Sequence, residues 1–236
     1  IGTDLVAKAT PDGYTLLAVA ASVTMSPSLY KLPFDPVRDL AGISQLTSLP
    51  NILVVHPSLP VNSVSEFIAY AKARPNQLNF GSSGVATGTH LSMELLMYMT
   101  GIKLTHVPYK GAGPALTDVV AGQIPATFTS MATAAPFVQS GRLRILGVTS
   151  SKRLAAFPDV PTFDESGVAG LIVEHWWGVM APAGVAKPVI DKLHGGIVSA
   201  VNAPDVRERF TVLAVEPRTM TPQQFRTLIE RDVARW

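Results

Sequence analysis

The run Gly81-Ser82-Ser83-Gly84-Val85-Ala86-Thr87-Gly88-Thr89-His90 gathers hydroxyls, an imidazole and glycines that let a backbone approach a ligand closely. It follows a strand-like stretch at 78–80 and opens a helical pattern. Two chemistries compete for it. A nucleophilic reading takes Ser82 or Ser83 as the attacking hydroxyl with His90 and Asp118 as partners, since esterases present serine at a strand-to-helix turn. The spacing disagrees: an elbow needs Gly-x-Ser-x-Gly, and here Gly84 follows Ser83 directly while Val85 stands where the second glycine belongs. The anion reading needs no such spacing. A helix start leaves backbone N–H groups without partners and adds partial positive charge, so it holds a carboxylate or phosphate without a cationic side chain. The hydroxyls of Ser82, Ser83 and Thr87 and the N–H groups from Ser83 through Gly84, Val85 and Ala86 to Thr87 are the expected donors. A plain glycine-rich turn with Thr87 or Thr89 as helix N-cap is the structural alternative.

A second turn of the same kind follows. After a strand-like 104–107 comes Pro108-Tyr109-Lys110-Gly111-Ala112-Gly113-Pro114, opening a helix in which Leu116, Val119 and Val120 share a face. Two glycine-bearing turns close in sequence predict one shared ligand crevice. The histidines at 56, 90, 106, 175 and 194 show no helical His pairing and no carboxylate set, so no metal site and no cofactor is expected. His90 stands apart, because in the first turn of the cradle helix a neutral imidazole can orient a ligand or a water.

The elements that position these turns follow from punctuation. Pro11-Asp12-Gly13 is a turn before a strand at 14–20, and a loop at 21–26 follows. Ser63 and Glu66 form a capping box for a helix through about residue 73. The alternation continues through 126–128, 136–140 and 143–148, which predicts parallel sheets covered by helices. Near the C-terminus, Ile190, Leu193, Ile197 and Val201 share one helical face, and Thr221-Pro222 caps a helix with Phe225, Leu228, Ile229 and Val233 inward. With 236 residues, 47% hydrophobic, the chain can bury a large core. Its net charge of +2 carries no basic run, which argues against nucleic acid, and no apolar stretch is long enough to span a membrane. Zero cysteines exclude thiolate metal sites, disulfides and cysteine nucleophiles.

The phrases "NFGSSGVATGTHLSMELL", "HVPYKGAGPALTDVVAGQ", "TDLVAKATPDGYTLL", "LPNILVVHPSLP" and "WWGVMAPAGVAKPVIDKL" together resemble the Bug-type receptors, the solute-binding proteins of tripartite tricarboxylate transporters. The resemblance runs the length of the chain. It implies an α/β, two-lobed periplasmic-binding-protein type II architecture, a periplasmic location, membrane transporter subunits as partners, and capture of a small carboxylate between the lobes by hinge closure. Segments 52–55 and 177–180 correspond to the crossover strands, so the resemblance implies lobe 1 at 1–52 and 179–236 and lobe 2 at 53–178. Ala21 and Ser22 are the implied contribution of lobe 1, with Thr129 and Ser130 beside the cradle in lobe 2. Trp176 and Trp177 lie at the second crossover as packing residues or as an aromatic wall.

Relatives carry a first strand and a glycine-rich loop before the position of Ile1, so lobe 1 is expected to lack them, and the chain is read as part of a longer precursor. Such a lobe is expected to borrow a replacement strand or to be disordered. Where relatives have a Phe-Asp-Asn run, this chain has Phe128-Thr129-Ser130, which keeps hydroxyls and loses a carboxylate. That favours mono- or dicarboxylates, aromatic ones included, over amino acids. The competing functions are a serine hydrolase using Ser82 or Ser83 and the effector-sensing domain of a transcription regulator, which shares the two-lobed architecture.

Overall fold

In the computed structural model, which describes residues 2–154, 157–212 and 215–236, strand β2 (Leu40–Val55) belongs to two structural units. One unit comprises Ile1–Leu49 and His175–Trp236, the other Pro50–Glu174. The first contains α1 (Gly2–Ala7), β1 (Leu17–Ala20), α2 (Ser22–Leu29), the first part of β2, most of β7 (Glu174–Pro182), α7 (Lys187–Val201), α8 (Pro204–Val212), β8 (Glu216–Pro217) and α9 (Pro222–Arg235). The second contains the rest of β2, α3 (Val64–Lys72), β3 (Asn79–Ser82), α4 (Gly88–Thr100), β4 (Thr105–Pro108), α5 (Ala112–Val120), β5 (Ala126–Ser130), α6 (Met131–Gln139) and β6 (Arg144–Val148).

The unit around Pro50–Glu174 holds the cradle. Its strands lie in the order β6, β2, β5, β3, β4, with β3 parallel to both β4 and β5 and β2 antiparallel to β5 and β6. The sheet is therefore mixed rather than purely parallel, because β2 runs against its neighbours. Both faces are covered, and the sequence shows how: Leu53 and Val55 enter the core with Phe67, Phe80, Met93, Leu96 and Phe128, while Ile52 and Val54 enter the opposite core with Leu116, Val119, Met131 and Ala134. Successive strand residues point to opposite faces, so a continuous apolar run is what a doubly covered strand requires. Helix α4 leans on β3 and β5 over one core and α5 on the same strands over the other, which sets both helix starts at the C-terminal end of β3 and β4.

The other unit is built on β1, β7, β2 and β8, with β1 antiparallel to β7 and β8 antiparallel to β2. Among the described residues, β1 pairs with β7 alone. Trp176 is buried, meets Phe225 edge to face with ring centroids 5.1 Å apart, and donates from Nε1 to Asp232 Oδ2 at 3.0 Å. A Cβ on Gly178 would lie 2.3 Å from Phe225 Cζ, so this close crossing of strand and helix needs glycine. Trp176 is thus a packing residue, while Trp177 is half exposed.

Three local expectations are corrected. The stretch expected as a loop at 21–26 is the start of α2, with Pro27 inside that helix. The strand expected from residue 14 begins at Leu17, because Asp12 Oδ1 takes the Tyr14 N–H and holds the chain in a turn. Helix α6 covers the stretch at 136–140 and starts earlier, at Met131.

Candidate functional site: an uncapped helix start

Strand β3 ends in the turn and delivers it to α4. Ser82 is fully buried; its Oγ accepts the Gly84 N–H at 3.1 Å, donates to the Gly84 carbonyl at 3.1 Å and lies 2.6 Å from His106 Nε2. One serine proton serves one acceptor, so with that proton on the Gly84 carbonyl the His106 Nε2–H donates to Ser82 Oγ, and all three contacts are satisfied. Ser83 donates its N–H to Thr89 Oγ1 at 2.9 Å, and its hydroxyl lies 2.8 Å from the same atom. Ala86, with φ 63, donates its N–H to His90 Nδ1 at 3.2 Å.

Of the donors expected from the sequence, the N–H groups of Ser83, Gly84, Ala86 and Thr87 and the hydroxyls of Ser82 and Thr87 are engaged inside the turn, and the Ser83 hydroxyl lies against Thr89 Oγ1, which leaves the Val85 N–H. The N–H groups of Val85 and of Gly88, Thr89 and His90, which the sequence reading did not name, have no acceptor among the described residues. The reason lies in Thr87. It occupies the N-cap position of α4, but its Oγ1 donates to the Gly84 carbonyl at 2.7 Å instead of accepting from the helix. Three successive N–H groups of a helix start, with no acidic side chain in the first turn, are therefore without a protein acceptor among the described residues. Val85, at the tip, is 61% exposed.

The second turn is laced to the first. Tyr109 donates its N–H to the Ser82 carbonyl and Gly111 to the Ser83 carbonyl, each at 3.1 Å, which brings the two glycine-bearing turns together as the sequence implies. Gly84 and Gly111 have φ 136 and 123, values that only glycine adopts readily, and a Cβ on Gly84 would lie 3.3 Å from the Tyr109 carbonyl. Lys110, exposed between the two anchors, adds a cation beside them. The Tyr109 hydroxyl donates to Asp118 Oδ2 at 2.5 Å, and burial, then that bond, pushes its pKa up to about 12.

This arrangement is not a triad. Asp118 serves Tyr109, His90 faces Glu94 at 3.3 Å and the Ala86 N–H, and the histidine beside Ser82 is His106, which a sequence search for nucleophiles does not single out. His106 stands opposite Phe80 in the parallel register of β3 and β4, so only strand pairing reveals it. Phe80, His106 and His90 form a stack, with centroids 4.8 Å apart for the first pair and 3.9 Å for the second. Burial, then the neighbouring His90, lowers the His106 pKa to about 4; burial also lowers that of His90, against the opposing pull of Glu94. Among the described residues no cluster of His, Asp or Glu has the makings of a metal site.

Asn51 is a second residue that sequence reasoning missed. It is buried, donates from Nδ2 to Ser92 Oγ at 2.8 Å and to the Gly88 carbonyl at 3.4 Å, and so ties the first turn of α4 to β2. The remaining predicted residues divide. Ser130 caps α6, accepting the Thr133 N–H at 3.3 Å. Thr129 is buried and its Oγ1 has no partner among the described residues. Ala21 and Ser22 belong to the other unit, where Ala21 is buried with its N–H on the Trp176 carbonyl and Ser22 is exposed.

Known proteins carry the same arrangement of sequence. The family model described as TctC, tripartite tricarboxylate transporter family receptor, matches residues 1–236. The chain is similar to protein BugT of Bordetella pertussis, with 36% identity over 239 residues covering 100% of this chain and 73% of that protein. Among solved structures it is similar to an R. palustris protein with adipate, at TM-score 0.85 and 32% identity, covering 99% of this chain and 79% of that one. It is also similar to MatC from Rhodopseudomonas palustris with bound malate, at TM-score 0.84 and 30% identity, covering 100% and 82% respectively. A full-length family match and a shared fold at this identity lead to one assignment: the chain belongs to the tripartite tricarboxylate transporter receptor family.

Proposed function

We propose that this protein is a periplasmic receptor that captures a small mono- or dicarboxylate and presents it to membrane transporter subunits, without chemistry of its own. The observation that carries the reading is the start of α4, where the Thr87 hydroxyl turns to the Gly84 carbonyl and leaves the Gly88, Thr89 and His90 N–H groups without a protein acceptor. One carboxylate oxygen would accept from these groups and the other from the Val85 N–H, with Ser83, Gly84, Ala86 and Thr87 shaping the turn. Hydrogen bonds to a charged acceptor contribute about 1.5–3 kcal/mol each, so a few such contacts suffice for micromolar capture once ordering costs are met. Similar proteins solved with adipate and with malate support carboxylates over other anions. No helix of the described residues is long and apolar enough to cross a membrane, which accords with a receptor that meets its transporter from outside the bilayer.

Isothermal titration of the chain with adipate and malate, beside a sugar and a polyamine of similar size, tests the reading. Saturable binding of a carboxylate alone is the expected result. Binding only of the sugar or the polyamine would refute it.

A further inference from the structure

The bond between the Ala86 N–H and His90 Nδ1 makes a specific demand on the imidazole. Nδ1 accepts, so it carries no proton; Nε2 carries the single ring proton and faces Glu94 Oε1 at 3.3 Å. The residue held by this bond is the strained one. Ala86 has φ 63, a left-handed conformation that costs a non-glycine residue stability and persists only when its surroundings impose it. It also sits between the Val85 N–H and the helix start, so its conformation decides whether those donors converge.

From this geometry, and resting on the carboxylate-receptor reading above, we propose that His90 is a positioning residue: its neutral ring holds Ala86 in the left-handed state that aims the cradle donors, and protonation of that ring releases the loop and the carboxylate.

A proton added to His90 must go on Nδ1, where it would confront the Ala86 N–H with a second donor. The groups around the ring are few. Glu94, on the same helix, favours the charged form; His106, stacked at 3.9 Å from β4, opposes it once either ring is charged; β3 and β5 contribute no titratable side chain. Burial outweighs Glu94 and lowers the His90 pKa from its ordinary value near 6.5. The sign follows. Above that value the ring is neutral whether the loop is ordered or released; below it the released form takes up a proton more readily than the ordered one, so acid favours release.

The test uses the whole chain in two arms. In the first, without any ligand, the His90 ring and the Ala86 amide are followed by NMR from about pH 7.5 to about pH 4.5, spanning the imidazole range. The Ala86 amide should shift with the midpoint of the His90 ring, below 6.5; an Ala86 amide that ignores the His90 titration overturns the proposal. In the second, adipate binding is compared at both ends of that range for the native chain and for His90→Asn, whose Oδ1 replaces Nδ1 as a fixed acceptor. Protonation of adipate itself weakens both proteins alike. Beyond that shared loss, the native chain should weaken by about tenfold more than His90→Asn, the weight of one lost hydrogen bond to a charged acceptor, and His90→Ala should bind weakly throughout. Identical pH profiles for native chain and His90→Asn overturn the proposal. Absence of adipate binding by the native chain counts against the carboxylate reading, while the first arm still decides the role of His90, as it does should His90→Asn fail to fold.

Discussion

Helices α4 and α6 start beside each other on the same sheet, each after a hydroxyl residue in nearly the same extended conformation, and they use that residue in opposite ways. Ser130, with φ −81 and ψ 152, turns its hydroxyl inward and caps α6 by accepting the Thr133 N–H. Thr87, with φ −81 and ψ 160, leaves α4 uncapped and donates to the Gly84 carbonyl. Both residues carry a hydroxyl on Cβ and share a backbone conformation, so neither property explains the difference. The loop before Thr87 does: Gly84, at φ 136, has its carbonyl 2.7 Å from the hydroxyl, whereas among the described residues the Ser130 hydroxyl meets only Thr133. Some helix starts are closed by local side chains, as α3 is by Ser63 and α9 by the reciprocal pair Thr221 and Gln224, whereas α2, α5 and α7 share with α4 the lack of a side-chain cap. On the proposed reading, the open start of the 13-residue α4 is where a ligand carboxylate takes the place of a local cap.

The strongest way to break the contrast is to close α4 from within. In Thr87→Asp the new carboxylate would accept from the first turn, adding a cap that stabilises the chain by about 0.5–2 kcal/mol. It would also occupy the anion site and repel a second anion by a few kcal/mol at about 4 Å, so carboxylate affinity should fall about a hundredfold or more. The two measurements move in opposite directions: Tm rises and affinity falls. A rise in Tm with unchanged affinity would place the ligand elsewhere.

Next in size is Gly84→Ala. It forces a side chain into a conformation that L residues rarely adopt and sets a Cβ 3.3 Å from the Tyr109 carbonyl, which is backbone and yields little. Strain of this kind costs about 1–3 kcal/mol. The carbonyl that diverts Thr87 should shift, and carboxylate affinity, read by titration calorimetry, should drop about tenfold or more for a cost of that size. Asn51→Leu attacks the same start from below. Ser92 and the Gly88 carbonyl would lose a buried donor, for a stability loss of about 1–3 kcal/mol read from denaturant midpoints.

Much of this was legible in the sequence. Glycine-bearing turns after short apolar strands located both helix starts, and the resemblance marked 52–55 as a crossover strand, which the structure shows buried on both faces. The full extent of β2 is hidden by Pro50 and by polar residues such as Gln45 and Thr47, which are buried in the structure but break the apolar pattern of a strand. Helix α2 was hidden for the opposite reason: it contains Pro27 and shows little amphipathic contrast, since Val23, Thr24 and Met25 are all buried. The cradle was visible as a glycine-rich text, but its open donors were not. Which N–H groups a turn consumes depends on tertiary partners, and the stack of Phe80, His106 and His90 exists only because β3 and β4 pair in one register.

The smallest expected effect is the control that gives the contrast its meaning. Ser130→Ala removes the cap of α6 on the same sheet, at the end of the strand next to β3. If capping and ligand capture are separate jobs, this variant should lose about 1 kcal/mol of stability, the usual worth of a serine cap, and its adipate affinity should change by less than about twofold. Ser130 and Thr129 were expected as ligand residues from their place beside the cradle, and this variant separates the two roles directly. A serine that only caps moves the denaturant midpoint and leaves the calorimetric titration untouched. A serine that also touches the ligand moves both, by more than its cap is worth, and would join the end of β5 to the carboxylate site. Because the Ser130 hydroxyl is already 2.8 Å from Thr133 Oγ1 and accepts a backbone N–H, the first outcome is the expected one.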